Sequence, residues 1–90
     1  MRPERIEPLP WREIDGRAII IHAASGEIIE LNSTATLLWK EADGALTIDE
    51  IAEIAAEAFE IDPPTAKQDA IEFYRELESR GLVRPLPGTA

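Results

Sequence analysis

The sequence predicts an α+β domain in which a three-stranded antiparallel meander is followed by three helices. Three observations lead there. Runs rich in β-branched residues occupy the first third of the chain and are split by an Asp15-Gly16 pair, a short-range hairpin signal because glycine tolerates the positive φ of a tight turn. At Asn32 and Ser33 the apolar spacing changes from that of a strand to that of a helix. Downstream, Thr47 with Glu50 and Asp62 with Pro63 mark two further helix starts. Ninety residues suffice for one domain with a modest core, since a chain of this size hides only about 60–65% of the surface it exposes when unfolded.

The first strand is expected over residues 9–14, the second over 17–23 and, after the turn at Ala24-Ser25-Gly26, the third over 27–31. Consecutive hairpins put the second strand in the centre and leave the first and third at the edges. Asn32 or Ser33 caps a helix over 33–42, which Asp43-Gly44 ends. The T-x-x-E capping box of Thr47 and Glu50 opens a helix over 47–59, with Ile48, Ile51, Ala52, Ala55 and Phe59 on one side. The third helix covers 63–80, with Asp62 as its cap and Gly81 as its C′ residue. Residues 1–8 read as an N-terminal extension, 9–84 as the domain and 85–90 as a flexible tail, with Leu82 and Val83 packing back. Ile19, Ile21, Ile29, Leu31, Leu38, Ile51, Ala55, Phe73 and Leu77 are the expected core.

The net charge is −9, and Glu41, Asp43, Asp49, Glu50, Glu53, Glu57, Glu60 and Asp62 follow one another without an intervening Lys or Arg. A face of that sign repels nucleic acid, whose affinity depends on cations displacing counterions; the plain reading is a solvated helix surface. No apolar run is long enough to span a bilayer, the start lacks a secretory signal and there is no cysteine, so a cytoplasmic protein with no membrane partner is expected. One histidine, His22, and no glycine-rich phosphate loop leave no catalytic or metal-binding set. Neither an enzyme nor a cofactor is expected.

Surface geometry remains. Pro10 lacks an amide donor and blunts the first strand's edge. The third strand, Glu27, Ile28, Ile29, Glu30 and Leu31, has no proline, so its outer edge offers amides and carbonyls to an extended peptide. The residues themselves leave open whether that edge binds a peptide or whether Glu27 and Glu30 protect it. On the third helix, Ala66, Ala70, Phe73, Tyr74 and Leu77 form a core-facing stripe, and Ile71 falls off it among Lys67, Arg75 and Glu78, where an aliphatic side chain is exposed or lies in a groove.

The ordered set of Gly26 to Asn32 (G-x-x-x-x-L-N), Trp39 with Asp43-Gly44, and the D-x-x-x-F-x-x-x-L-x-x-x-G-L from Asp69 to Leu82 resembles the PqqD-like proteins. These are recognition elements for RiPPs, the ribosomally made and post-translationally modified peptides. The resemblance runs from about Trp11 to Val83. It implies a winged helix-turn-helix-like fold and a non-catalytic peptide chaperone that holds the leader segment of a precursor peptide as an added strand. The core segment is thereby presented to a separate tailoring enzyme, such as a radical SAM enzyme, a leader peptidase or a cyclase, in RiPP or PQQ-like biosynthesis. Carried onto this chain, it implies a peptide-binding site of Glu27, Ile28, Ile29, Glu30 and Leu31 with Lys67, Ile71 and Tyr74 as the helix wall. Two alternatives are an acidic winged-helix protein without a peptide client and a small dimerisation module whose free edge makes a homodimer. A DNA-binding winged helix requires a basic recognition helix that this chain lacks.

Overall fold

The computed structural model describes residues 1–6, 10–22 and 24–87. It contains, in order, β1 (Arg2–Arg5), β2 (Trp11–Ile14), β3 (Arg17–His22), β4 (Glu27–Glu30), α1 (Ser33–Lys40), α2 (Ile48–Phe59), α3 (Pro63–Ser79) and β5 (Val83–Leu86). The expected meander is β2-β3-β4, all antiparallel with β3 central, and the three expected helices follow it. Leu9 and Ala23, expected at strand ends, lie outside the described residues, as do residues 7–8 and 88–90 of the expected extension and tail.

Local chemistry accounts for most boundaries. Asp15 and Gly16 both take positive φ, 52° and 78°, as the β2–β3 turn requires. The Asn32 side chain accepts from the Ala35 amide at 2.8 Å, and the capping box is closed in both directions, Thr47 N to Glu50 Oε1 at 2.8 Å and Glu50 N to Thr47 Oγ1 at 3.2 Å. At the end of α3, Leu82 N donates to Leu77 O and Gly81 N to Glu78 O, a Schellman closure that buries Leu82 completely. Asp62 departs from expectation. It holds the N-cap position but makes no side-chain cap bond, because Pro63 and Pro64 remove the first amides it could serve; its carboxylate accepts from the Thr65 hydroxyl at 3.4 Å instead.

The inward face of β3 carries Ala18 and Ile20, both 0% exposed, whereas Ile21 is 47% exposed and Ile19 half-buried. The expected burial of Ile19 and Ile21 is therefore corrected by one residue of register. Ala18 to Ile21 is apolar at both parities, so alternation cannot choose a face. The choice is made by α1, which crosses at Ala18: the buried Thr36 hydroxyl accepts from the Ala18 amide at 2.8 Å. Leu31, Leu38, Ile51, Ala55 and Leu77 are buried as expected; Ile29 and Phe73 are half-buried. One apolar cluster joins Ala18, Ile20, Leu31, Trp39, Leu77, Leu82 and Val83 against the sheet. A second joins Leu38, Ala42, Ile51, Ala52, Ala55, Ala70 and Tyr74 among the helices.

Of the expected extension and tail, the described residues include two strands. β1 pairs antiparallel with β5, Pro3 is fully buried, and the other side of β1 hydrogen-bonds the segment after α1 through Arg5 N to Ala42 O and Gly44 N to Pro3 O. Gly44 is required there: at φ 84° a Cβ would meet Leu86 Cδ1 at 3.0 Å and Glu4 Oε2 at 3.1 Å.

Tyr74 is 0% exposed and its hydroxyl donates to the Leu38 carbonyl. Burial, followed by the nearby Glu41 carboxylate and partly offset by Arg5, pushes the phenol well above its ordinary value. The folded protein thus holds the phenolic proton more tightly than the unfolded chain. Stability is fully retained below about pH 10 and falls by up to about 1.4 kcal/mol per pH unit above it. Urea midpoints between pH 9 and 11 are expected to show this fall in the wild type and not in Tyr74→Phe, a variant that loses the Leu38 bond at about 1 kcal/mol.

Candidate functional site

β4 is short because hydrogen bonds close it at both ends. Before it, Ser25 N and Gly26 N donate to His22 O, Gly26 takes φ 73°, and the Ser25 hydroxyl accepts from Glu27 N at 3.2 Å while lying 3.1 Å from His22 Nδ1. After it, Arg17 Nε donates to Leu31 O at 3.3 Å and Asn32 starts α1. His22 and Ser25 are thereby engaged in shaping the turn. Among the described residues no group of three or more His, Cys, Asp or Glu could hold a metal ion.

One edge of β4 pairs with β3, in the register Ile19 with Glu30, Ile20 with Ile29, Ile21 with Ile28 and His22 with Glu27. Among the described residues, no strand pairs with the other edge. Two backbone bonds set which groups face it. Leu31 N donates to Ala18 O across the β3 side, and Ile21 N donates away from β4 to Pro10 O. Antiparallel pairs alternate between hydrogen-bonded and non-hydrogen-bonded, so Glu27, Ile29 and Leu31 direct their backbone groups into β3. Ile28 and Glu30 direct theirs outward.

Side chains alternate as well. Ile29 and Leu31 turn inward to the cluster that Phe73 of α3 and Ala35 of α1 also touch. Ile28, 69% exposed, and Glu30, 3.5 Å from Arg17, lie on the outer face. α3 reaches this edge through Arg80, just past its last helical residue, which pairs with Glu27 at 3.0 Å and with Glu76 at 3.2 Å. Those carboxylates, Glu27 foremost, raise the guanidinium further above its ordinary value; the contact is solvent-exposed and is worth little as stability. Its use is positional, since it ties the end of α3 to the start of β4.

The residues expected to form the helix wall lie elsewhere on α3. Tyr74 is sealed in the core. Lys67 pairs with Asp49 of α2 at 3.1 Å, and Ile71, nine residues from Arg80, lies about 180° around α3 from it at 100° per residue. The flank of α3 that accompanies β4 carries Phe73, Glu76 and Arg80. Phe73, expected in the core, is half-buried on this flank, and Arg80 is the C-cap of the helix; no local spacing in the sequence shows that this flank meets the sheet.

The fold and the edge define a class of small α+β domain built around one open strand beside a helix. The model of the PqqD family, coenzyme PQQ synthesis protein D, matches residues 11–83, and the chain belongs to that family. The PqqA binding protein of Acinetobacter baylyi is 31% identical over 70 residues, 78% of this chain and 68% of that protein. Two solved structures share the fold at 19% identity. TbiB1 in complex with the TbiA(beta) leader peptide superposes with a TM-score of 0.80 over 94% of this chain and 99% of that one. The PqqD truncation of Methylobacterium extorquens PqqCD, described as a stand-alone RiPP recognition element, does so with 0.73 over 92% and 88%. No described helix is long and apolar enough to cross a membrane.

Proposed function

We propose that this chain is a non-catalytic peptide chaperone that binds the leader segment of a ribosomal precursor peptide as an added strand on β4. It then presents the peptide to a separate tailoring enzyme in the cytoplasm. The observation that carries this reading is the unpaired edge of β4, on which the amides and carbonyls of Ile28 and Glu30 face outward beside α3. Family membership and the leader peptide named with TbiB1 support it. Two outward amides and two outward carbonyls at about 1 kcal/mol net each come to about 4 kcal/mol, which the lost translational and rotational freedom of association offsets. Side-chain contacts must supply the net affinity.

Amide hydrogen exchange tests the reading, using synthetic peptides tiled across the short open reading frames beside the gene. The amides of Ile28 and Glu30 are expected to exchange rapidly in the free protein and to gain protection when one peptide binds. The Ile29 amide, already bonded to β3, is expected to be protected throughout. Protection of Ile28 and Glu30 that rises with protein concentration alone would move the reading to self-pairing.

A further inference from the structure

The outer face of the sheet holds an apolar surface that the edge alone does not use. Ile14, Ile21 and Ile28 are 48%, 47% and 69% exposed, and by strand alternation all three stand on the face turned away from the helices, with half-buried Ile19 between them. At the β2 side of the sheet, a shallow cavity of about 220 Å³ is lined by Pro10, Trp11, Arg12, Ile14, Ile19 and Ile21. Ile21 and Ile28 are direct cross-strand partners. Because Ile28 faces its backbone outward, theirs is the closer, non-hydrogen-bonded kind of pair. The row Ile21–Ile28 therefore runs across the sheet and stops at the open edge.

We infer that a peptide added to β4 is read on both faces of the sheet, and that its residue opposite Ile28 is apolar and packs on the outer face against Ile28. This inference rests on the strand-addition reading and specifies its ligand. The side chain next in line to Ile28 must share its face, about 5 Å away between Cβ atoms, whether the added strand runs antiparallel or parallel. Its two neighbours in the peptide turn inward instead, toward the side of the sheet where Ile29 and Phe73 meet. The ligand class is thus an extended segment with apolar residues on both parities around this position, so that an alternating apolar and polar strand satisfies only one wall. Continuity with the open edge selects the occupant: an added strand completes the Ile21–Ile28 row without any movement of the sheet.

Selection from a phage-displayed library of random linear peptides, run in parallel on the wild type, Ile28→Glu and Ile28→Pro, tests this. Circular dichroism verifies that each variant is folded. Wild-type selections are expected to converge on an aliphatic or aromatic residue at one position, flanked on both sides by apolar residues. Ile28→Glu is expected to change that one position to Lys or Arg and leave its neighbours as they were. A wild-type-selected peptide should lose roughly fivefold in affinity on Ile28→Ala. Peptides that lose binding to Ile28→Pro but show the same consensus on Ile28→Glu as on the wild type overturn the outer-face inference and leave edge binding standing. No enrichment on the wild type, or enriched peptides that Ile28→Pro binds equally well, removes both.

Discussion

Ile28→Pro and Glu30→Pro are each expected to weaken an edge-binding peptide at least about tenfold while the protein stays folded. Ile29→Pro is expected to lower the melting temperature by about 5 °C or more. The difference follows from amide direction. Proline at 28 or 30 removes a donor that serves no bond within the sheet and puts a ring in the path of the incoming strand. At 29 it removes a bond of the β3–β4 ladder, beside a side chain packed on the core. Ile71→Asp is the control: opposite Arg80 on α3, it should leave peptide affinity within about twofold of wild type. Calorimetry with a library-selected peptide and thermal melts of all four variants measure both sides. Unchanged affinity in folded Ile28→Pro and Glu30→Pro would falsify strand addition at β4.

Arg5→Ala is expected to destabilise the protein by about 2–4 kcal/mol, a drop in melting temperature of roughly 10–20 °C for a domain of this size. Arg5 Nη1 donates to the carbonyls of Trp39 at 2.9 Å and Lys40 at 2.8 Å at the C-terminal end of α1, where the Trp39 carbonyl also accepts from Ala42 N at 3.2 Å. Its guanidinium carbon lies 5.6 Å from the Trp11 ring and 5.9 Å from the Trp39 ring, which meet edge to face. One cation therefore satisfies a helix end and fills the angle between two indoles. Arg5→Lys should recover part of the loss, since it keeps the charge without the planar fork. Wild-type melting of Arg5→Ala would mean that β1 rests on the fold without supporting it.

The features legible in the sequence are those whose causes lie within a few residues of one another. Asp15-Gly16, the Asn32 cap, the Thr47–Glu50 box and Gly81 each satisfy their own backbone, so the order of the meander and helices follows from them. The choice of β4 as the open edge was equally local, since Pro10 precedes one outer strand and no proline interrupts the other. The outward amides were not legible. Their parity depends on the register with β3, and Ala18 to Ile21 is apolar on both parities until α1 packs on Ala18.

The same limit applies to α3. A period of 3.6 identifies its buried stripe, but which flank meets the sheet depends on how that stripe packs on α1 and α2, which brings Arg80 beside Glu27. It applies most strongly to the chain ends, where the prolines of "RPER" and "VRPL" argue against strands. In the fold Pro3 stands directly opposite Pro85. Arg5 N donates away from β5 to Ala42 O, and Pro3, at the same parity, turns its missing donor to that side too. The two prolines thus meet as a non-hydrogen-bonded pair, the one kind of β pairing that needs no amide from either. A local pattern shows that a residue cannot donate; whether a donor is needed there depends on the strand brought opposite from the far end of the chain.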